Sequence, residues 1–434
     1  MVSRRFKIIF LFLASSIVLA KGEKLLGDTD GTWNYLGYNG YAGNVIMNSL
    51  TGSSYFYWLF NAINGNIFSD SLPLVIWIWG GPGCSGDMAM MYDNIGPFIL
   101  NSNGQPVANP LTWTNNYHVM TIDHPLGTGF SLANAKSDFA NSTTSASNAL
   151  YNFLVKLAQK YPTWFNRDLY FFGESYAGHW IPGIAYKIIS ENNSPSPLFH
   201  FNLKGIGIGD PWIDPATQGN YSGYAYSNSY IDKEELQIIQ SYEQSMSKAL
   251  NESQLLKAHQ DWSYILDLTQ KYSGGFNIYN VREFTQLNST LYANWLNLNT
   301  TKIMLHAPLN VTWVDCSDPV YNNLVTDMMI TVGNLLPYII DNIKVLIWNG
   351  QDDFMVNTLS TENMLNSLKW TGISNLINSN KIAWKVNGSI AGYVINYQTL
   401  TYALLLKAGH MGSHDQPANA RDMINRFINN QGWK

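Results

Sequence analysis

Leu169-Tyr170-Phe171-Phe172-Gly173-Glu174-Ser175-Tyr176-Ala177-Gly178 passes from a short apolar run through a Gly-Glu-Ser turn into a segment, Ile181 to Ile189, with the composition of a helix. A strand that turns sharply into a helix pushes the side chain at the turn out above the sheet, and small neighbours let the backbone segments approach closely. Ser175 occupies that position, where a nucleophile belongs. A bare G-x-S-x-small string carries little, so the rest of the chain has to supply its partners.

Two partners follow in order. Asp353 comes after the strand-like Lys344-Val345-Leu346-Ile347-Trp348 and its turn Asn349-Gly350, and His410 comes after the apolar Tyr402-Ala403-Leu404-Leu405-Leu406. Ser, Asp and His, each at the C-terminal end of an apolar run, stand in the chain order of an α/β-hydrolase. A serine hydroxyl is a poor nucleophile until an imidazole takes its proton, and the imidazole needs a carboxylate to fix its tautomer and stabilise its charge. Asp352 competes with Asp353 and His414 with His410; one member of each pair is expected at the solvated surface.

The surrounding pattern is α/β. Val75 to Trp79, Val119 to Ile122, Leu169 to Phe172 and Lys204 to Gly209 read as strands, with helical spacing over Ser145 to Lys160. Such alternation implies a mostly parallel mixed sheet with helices on both faces. After Asp214-Pro215 the chain becomes polar and rich in Asn, Tyr and Trp, with helical segments such as Lys233 to Leu250. The sheet resumes near Lys344 and ends with a helix over Ala418 to Asn429. The expected organisation is a core over 21–215 and 331–434, with 216–330 inserted as a mainly helical cap. Aromatic residues in the insertion serve packing more often than substrate contact.

Composition narrows the class. The 434-residue chain is 46% hydrophobic and 13% charged, which suits one large domain carrying an insertion and excludes a disordered chain. Arg4, Arg5 and Lys7 precede an apolar stretch from Ile8 to Leu19, with small Ala20 at a cleavage position; residues 1–20 read as a signal peptide, too short to anchor the mature chain. Its removal leaves 22 basic against 30 acidic residues, a balance of −8, and no basic cluster points to nucleic acid. No second apolar run has spanning length, so the expectation is a protein without a membrane anchor in the secretory pathway, secreted or held in a lysosomal or vacuolar lumen. Eight glycan acceptor sequences agree with that route: Asn141, Asn192, Asn220, Asn251, Asn288, Asn299, Asn310 and Asn387. Each is weak alone in a chain this rich in asparagine.

Four motifs in order, Gly80-Gly81-Pro82-Gly83-Cys84-Ser85, Asp123-His124-Pro125-Leu126-Gly127-Thr128-Gly129-Phe130-Ser131, the Gly173 to Tyr176 turn and Ala408-Gly409-His410-Met411, resemble the serine carboxypeptidases. The resemblance runs from about Tyr38 to the C-terminus, with weaker matches at Tyr55 to Phe60, Leu203 to Asp210, and Asp353-Phe354 followed by Asn357. It implies an α/β-hydrolase fold with an inserted cap, a Ser175, Asp353 and His410 triad, and a peptide substrate with a free C-terminus; it also allows a homodimer. Attack on a carbonyl creates an oxyanion that needs fixed N–H donors, and glycines let backbone come close enough to supply them. By resemblance these donors are the amides of Gly81 and Tyr176, with Gly80 beside them. The only two cysteines, Cys84 and Cys316, invite a disulfide in an oxidising compartment, and the resemblance supports that pairing; the alternative is two buried thiols.

The departures matter as much. Family members that trim peptides usually carry Asn before the Gly-Gly pair and Glu in the segment ending Gly-Pro, and both help the elbow glutamate hold the substrate's carboxylate. Here these positions are Trp79 and Asn94, leaving Glu174 of the set. Adjacent carboxyls bind an anion only by sharing protons, whereas an Asn amide donates at any pH. C-terminal recognition is therefore expected to depend less on acidity than in the family at large. Trp79 either narrows the pocket or shifts the enzyme toward other acyl substrates. Gly412-Ser413-His414 replace the usual apolar residue and proline, which is expected to loosen the loop carrying His410; Met411 is retained and either lines the pocket or packs. Gln351 in place of an acid leaves Asp353 the better carboxylate.

Three readings follow: a serine exopeptidase removing C-terminal residues through an acyl-enzyme on Ser175, an acyltransferase or esterase with the same triad, and a non-catalytic protective binding partner. No cofactor or metal is implied, because no histidine pair has H-E-x-x-H spacing and two distant cysteines are too few for zinc. His124 is expected to be a structural hydrogen-bonding residue in the Pro125 turn, and His179 to flank the elbow without reacting.

Overall fold

The apolar runs of the sequence become strands buried along their whole length: β4 (Leu74–Ile78), β7 (His118–Ile122) and β8 (Leu169–Glu174) expose no residue. The computed structural model describes residues 27–434, so the expected signal peptide lies outside the described residues. The remaining strands are β1 (Gly31–Tyr35), β2 (Tyr38–Asn48), β3 (Ser53–Phe60), β9 (Leu203–Gly209), β10 (Lys344–Gly350), β11 (Ile382–Val386), β12 (Ser389–Tyr397) and β13 (Leu400–Leu405), with β5 (Phe98–Leu100) and β6 (Pro106–Ala108) forming a separate ribbon. Eleven strands make one sheet in the order β1-β2-β3-β7-β4-β8-β9-β10-β13-β12-β11. Its centre, from β7 to β13, is parallel, and antiparallel meanders flank it on each side.

Parallel strands covered on both faces read as continuous apolar runs, which is why these segments carry no polar alternation. Their side chains still alternate. Ile76 and Ile78 join one buried cluster with Leu150, Leu154, Ile184 and Ile188 of the helices Thr143–Lys160 and Ala177–Asn192. Val75 and Trp77 join the other, with Met88 of Gly86–Tyr92 and Met423 and Phe427 of Pro417–Ile428. The expected mixed sheet with helices on both faces is present.

Between β9 and β10 the described chain is helical. Lys233–Asn251 opens with Asp232 and Glu235 in a reciprocal capping box and pairs with Leu255–Tyr272. The consequence of this topology is positional: the loops after β4, β8, β9, β10 and β13 all emerge at the C-terminal edge of the parallel centre, where open α/β sheets hold their sites. These loops carry Gly80, Ser175, Asp210, Asp353 and His410 respectively.

Candidate active site

Ser175 sits at φ +66°, the left-handed conformation that costs an ordinary residue. Three backbone bonds hold it there: its N–H donates to Gly209 O at 2.9 Å, and its carbonyl accepts from Gly178 N at 2.9 Å and Trp212 N at 3.0 Å. The glycine at 173 is obligatory, because a Cβ there would stand 2.1 Å from Ile78 O.

His410 presents Nδ1 to Asp353 Oδ2 at 2.8 Å, both side chains being buried. Asp353 also accepts from Met355 N at 2.9 Å and Val356 N at 3.0 Å, so its orientation is fixed from two sides. Nε2 of His410 makes no hydrogen bond within the described chain and is free for Ser175, which lines the same cavity. Burial works to lower the His410 pKa, but the Asp353 charge and hydrogen bond, helped by the Glu174 charge, hold it above the usual histidine range. The competitors are elsewhere: Asp352 pairs with Arg282 at 3.2 Å, and His414 stacks on Tyr92 at 3.9 Å with its Nδ1 at Tyr92 O. His414 is half-buried, so the expected solvated member of that pair is instead packed.

The loop bearing the base is closed, contrary to the expectation that it is loosened. Residues Gly412–Asp415 form a helical turn, Asp415 Oδ2 accepts Gly409 N at 2.7 Å, and His410 N donates to Tyr279 O of the inserted segment at 2.6 Å. Met411 lines the cavity.

The Gly80-Gly81 loop touches the elbow. A Cβ on Gly80 would lie 2.7 Å from both Ser175 Cβ and Tyr176 N, and Gly81 adopts φ +114°, open to glycine alone. Gly81 and Tyr176 both line the cavity beside Ser175. Cys84, three residues on, is bonded to Cys316, 232 residues away, and Ser317 N donates to Gly83 O at 2.9 Å; the inserted segment is thereby stapled to the loop.

Tyr176 is anchored from behind. Its hydroxyl donates to Asp327 Oδ2 at 2.9 Å, which also accepts Thr143 N at 2.8 Å and Thr143 Oγ1 at 2.5 Å, at the start of the helix Thr143–Lys160. Burial alone would raise the Asp327 pKa, but His179, Thr143 and Tyr176 together hold it below the ordinary carboxylate range. Asp327→Ala is expected to lower the unfolding free energy by about 3 kcal/mol, because three buried donors lose their acceptor; urea denaturation measures it, and a loss below about 1 kcal/mol would contradict the network. His179 belongs to this cluster through Thr143 Oγ1 at 3.0 Å, and His124 bonds Tyr55 Oη at 3.1 Å with its pKa pushed down by burial to about 3. Neither lines the cavity at Ser175.

Asn94 requires a correction. Its side-chain amide turns toward Tyr92 O at 3.5 Å with φ +58°, and Asn94 does not line the cavity. Asp93, one residue earlier, brings its carboxyl side chain to side chain against Glu174. Trp79 supplies a donor in place of the family's asparagine amide: its indole N–H donates to Glu174 Oε1 at 2.7 Å. Glu174 and Asp93 are both fully buried. Burial, then the Asp353 and Asp415 charges, push Glu174 up to about 7 against the opposing pull of His410 and Trp79; Asp93 is pushed well up by burial and by Glu174.

The cavity of about 320 Å³ at Ser175 is walled by the inserted segment (Trp262, Leu266, Ile278, Tyr279, Tyr321, Met328) and by Trp79, Trp212 and Met355. A larger groove of about 670 Å³ beside Asn220, Glu243 and Asn251 includes none of the triad. Among the described residues, the one acidic or histidine cluster tight enough for a metal is Asp210, Asp353 and His410. Asp353 there is already occupied by two backbone N–H groups and His410, which suits an orienting carboxylate and not a metal ligand.

The whole arrangement has known counterparts. The family model described as serine carboxypeptidase matches residues 31–430. The probable serine carboxypeptidase CPVL of Dictyostelium discoideum is 34% identical over 416 residues, covering 94% of this chain and 80% of its own length. Its Homo sapiens namesake is 32% identical, covering 98% and 90%. Among solved structures, Kex1(Δ)p, a prohormone-processing carboxypeptidase from Saccharomyces cerevisiae, superposes with a TM-score of 0.80 at 25% identity, covering 90% of this chain and 91% of that one. A strained serine, an imidazole backed by a buried carboxylate and a Gly-Gly loop pressed on the elbow thus coincide with a match over nearly the full length, and the chain belongs to the serine carboxypeptidase family.

Proposed function

We propose that this protein removes C-terminal residues from peptides through an acyl-enzyme on Ser175. The observation that carries the reading is the cavity onto which Ser175, His410, Gly81 and Tyr176 all open. His410 Nε2 takes the Ser175 proton as the oxygen attacks the scissile carbonyl, and the amides of Gly81 and Tyr176 receive the oxyanion. The same imidazole returns the proton to the leaving amine, releasing the terminal residue; water, deprotonated by His410, then frees the shortened peptide. Asp353 holds the imidazole tautomer throughout. Time-resolved mass spectrometry of N-blocked peptides differing in their last residue tests it: stepwise C-terminal loss is expected, and intact peptides alongside fluorophosphonate labelling would overturn it.

Acidity enters through Glu174. Glu174 and Asp93, side by side, both hold protons in acid, and Glu174 gives its proton up as pH rises through about 7, leaving one buried negative charge on the pair. That charge, behind Trp79 at the cavity wall, repels an anionic substrate end. For a peptide with a free carboxylate, kcat/KM is expected to fall above pH 7 with KM rising, whereas the same peptide with a C-terminal amide keeps its KM. Asp93→Asn is expected to flatten the difference; identical profiles for the two peptides would show that Glu174 does not sense the substrate's charge.

Passage through the secretory pathway is supported by the Cys84–Cys316 bond and by seven exposed acceptor asparagines, at 141, 220, 251, 288, 299, 310 and 387. The eighth, Asn192, spends its amide on Phe201, donating to its O at 2.7 Å and accepting its N–H at 3.1 Å, so it is a poor acceptor. No described helix is long and apolar enough to cross a membrane.

A further inference from the structure

Behind Asp353 stands a second carboxyl to which the reaction above gives no part. Asp210 follows β9 immediately, in the left-handed conformation at φ +43°, with its N–H donating to Trp348 O at 2.7 Å. Its side chain is fully buried. Oδ1 accepts Gly350 N at 2.9 Å and Asn349 Nδ2 at 3.1 Å, whereas Oδ2 meets no donor and faces Asp353. Ligand atoms of Asp210, Asp353 and His410 all lie within 4.8 Å of one another.

We propose that Asp210 is a positioning residue that remains a neutral carboxylic acid and donates its Oδ2 hydrogen to Asp353, fixing the carboxylate that orients His410.

Two carboxylates side by side out of water cannot both ionise, so the proton goes to the one whose anion is less well supported. Asp353 has three donors, Met355 N, Val356 N and His410, and borders the site of the developing imidazolium; Asp210 has two. An ionised Asp353 gains from a third-side donor, because every lone pair then points at a fixed partner and the carboxylate cannot swing. The titratable groups around Asp210 are Asp353, His410, Glu174 at the end of β8, Tyr402 of β13 and Tyr224 of the inserted segment. Four of these five are acids, so losing the Asp210 proton places a second uncompensated negative charge against Asp353. Burial and the Asp353 charge both oppose that loss.

Asparagine at 210 keeps the geometry and cannot titrate: its carbonyl serves Gly350 and Asn349, and its amide donates to Asp353 at every pH. The test is the second-order rate of fluorophosphonate labelling of Ser175 between pH 5 and 9, with circular dichroism at each pH to confirm folding. Labelling reads the triad without a peptide, so a protein that labels but does not trim would refute the peptidase reading and leave this one standing. Asp210→Asn is expected to label within tenfold of the wild-type rate at pH 5.5 and to hold that rate at least one pH unit further into the alkaline range. Asp210→Ala is expected to be at least a hundredfold slower throughout. A folded Asp210→Asn protein with an unmoved alkaline limb, or one more than tenfold slower at pH 5.5, overturns the proposal.

Discussion

Replacing Ser175 with alanine is expected to lower kcat by about a millionfold while leaving the fold intact. The fold survives because the three bonds that hold residue 175 at φ +66° all belong to the backbone, to Gly209, Gly178 and Trp212, and alanine keeps the Cβ that already fits beside Gly80. The reaction does not survive, because His410 Nε2 then has no hydroxyl to deprotonate and the remaining donors can only polarise a carbonyl for attack by water. Groups that act as one unit do not add, so Ser175→Ala combined with His410→Ala is expected to be no slower than Ser175→Ala alone. Asp353→Asn is expected to cost less, about ten-thousandfold, since it loses the tautomer and not the nucleophile. Single-turnover kinetics on an N-blocked peptide, with thermal denaturation in parallel, decides it. A Ser175→Ala enzyme within a hundredfold of wild type would mean that another group attacks the substrate.

The elbow and the two strand ends were legible because each lies within a few residues of an apolar run bounded by glycine or asparagine. Strand Lys344–Gly350 and its turn already announce where Asp353 will stand. The residues the sequence missed are those whose role is set at long range or by one residue of register. Asp93 caps the helix Gly86–Tyr92, and the left-handed turn at Asn94 then rotates the next side chain away from Glu174. Counting back from Gly96-Pro97 lands on Asn94, because a count along the chain cannot see that turn. An asparagine-to-tryptophan change at position 79 looks in sequence like the loss of an amide, although an indole N–H donates equally well. Asp327 meets Tyr176 across 151 residues, and only the docking of the inserted segment brings them together. The packing of His414 on Tyr92 is equally non-local, 322 residues apart, and with it the closure of the His410 loop.

As pH rises above about 6.5 the unfolding free energy is expected to fall, by at most about 4 kcal/mol per pH unit. Three buried carboxyls, Asp93 beside Glu174, Asp87 beside Asp123, and Asp210 beside Asp353, each hold a proton that the unfolded chain has released near pH 4. Burial is the first cause in each: it carries Glu174 up to about 7, Asp123 to about 6, and Asp87, Asp93 and Asp210 well up from the ordinary range. Wherever the native state holds one more proton than the unfolded state, stability declines by about 1.4 kcal/mol per pH unit, and three such protons give the slope above. Burial also holds His118, His124, His179 and His259 below the usual histidine range, with the opposite sign. Their contribution grows as pH rises toward about 6.5, where the unfolded histidines lose their protons, and is constant beyond it. In the window from about 4 to 6.5 the two sets therefore offset each other; above it nothing opposes the acids, and His410, held above its ordinary value, contributes stability that is also lost as pH rises. Asp327, held low, matters only as pH falls below about 4. The outcome is a protein most stable in mild acid. Asp87→Asn separates this account from a general effect of net charge: the amide donates to Asp123 in place of the shared proton, so the slope above pH 6.5 is expected to drop by about a third. Urea unfolding followed by tryptophan fluorescence at pH 5.5, 6.5, 7.5 and 8.5 measures both slopes. Stability that stays level from pH 6.5 to 8.5, or an Asp87→Asn curve parallel to the wild type, would show that these pairs do not retain their protons in the native state.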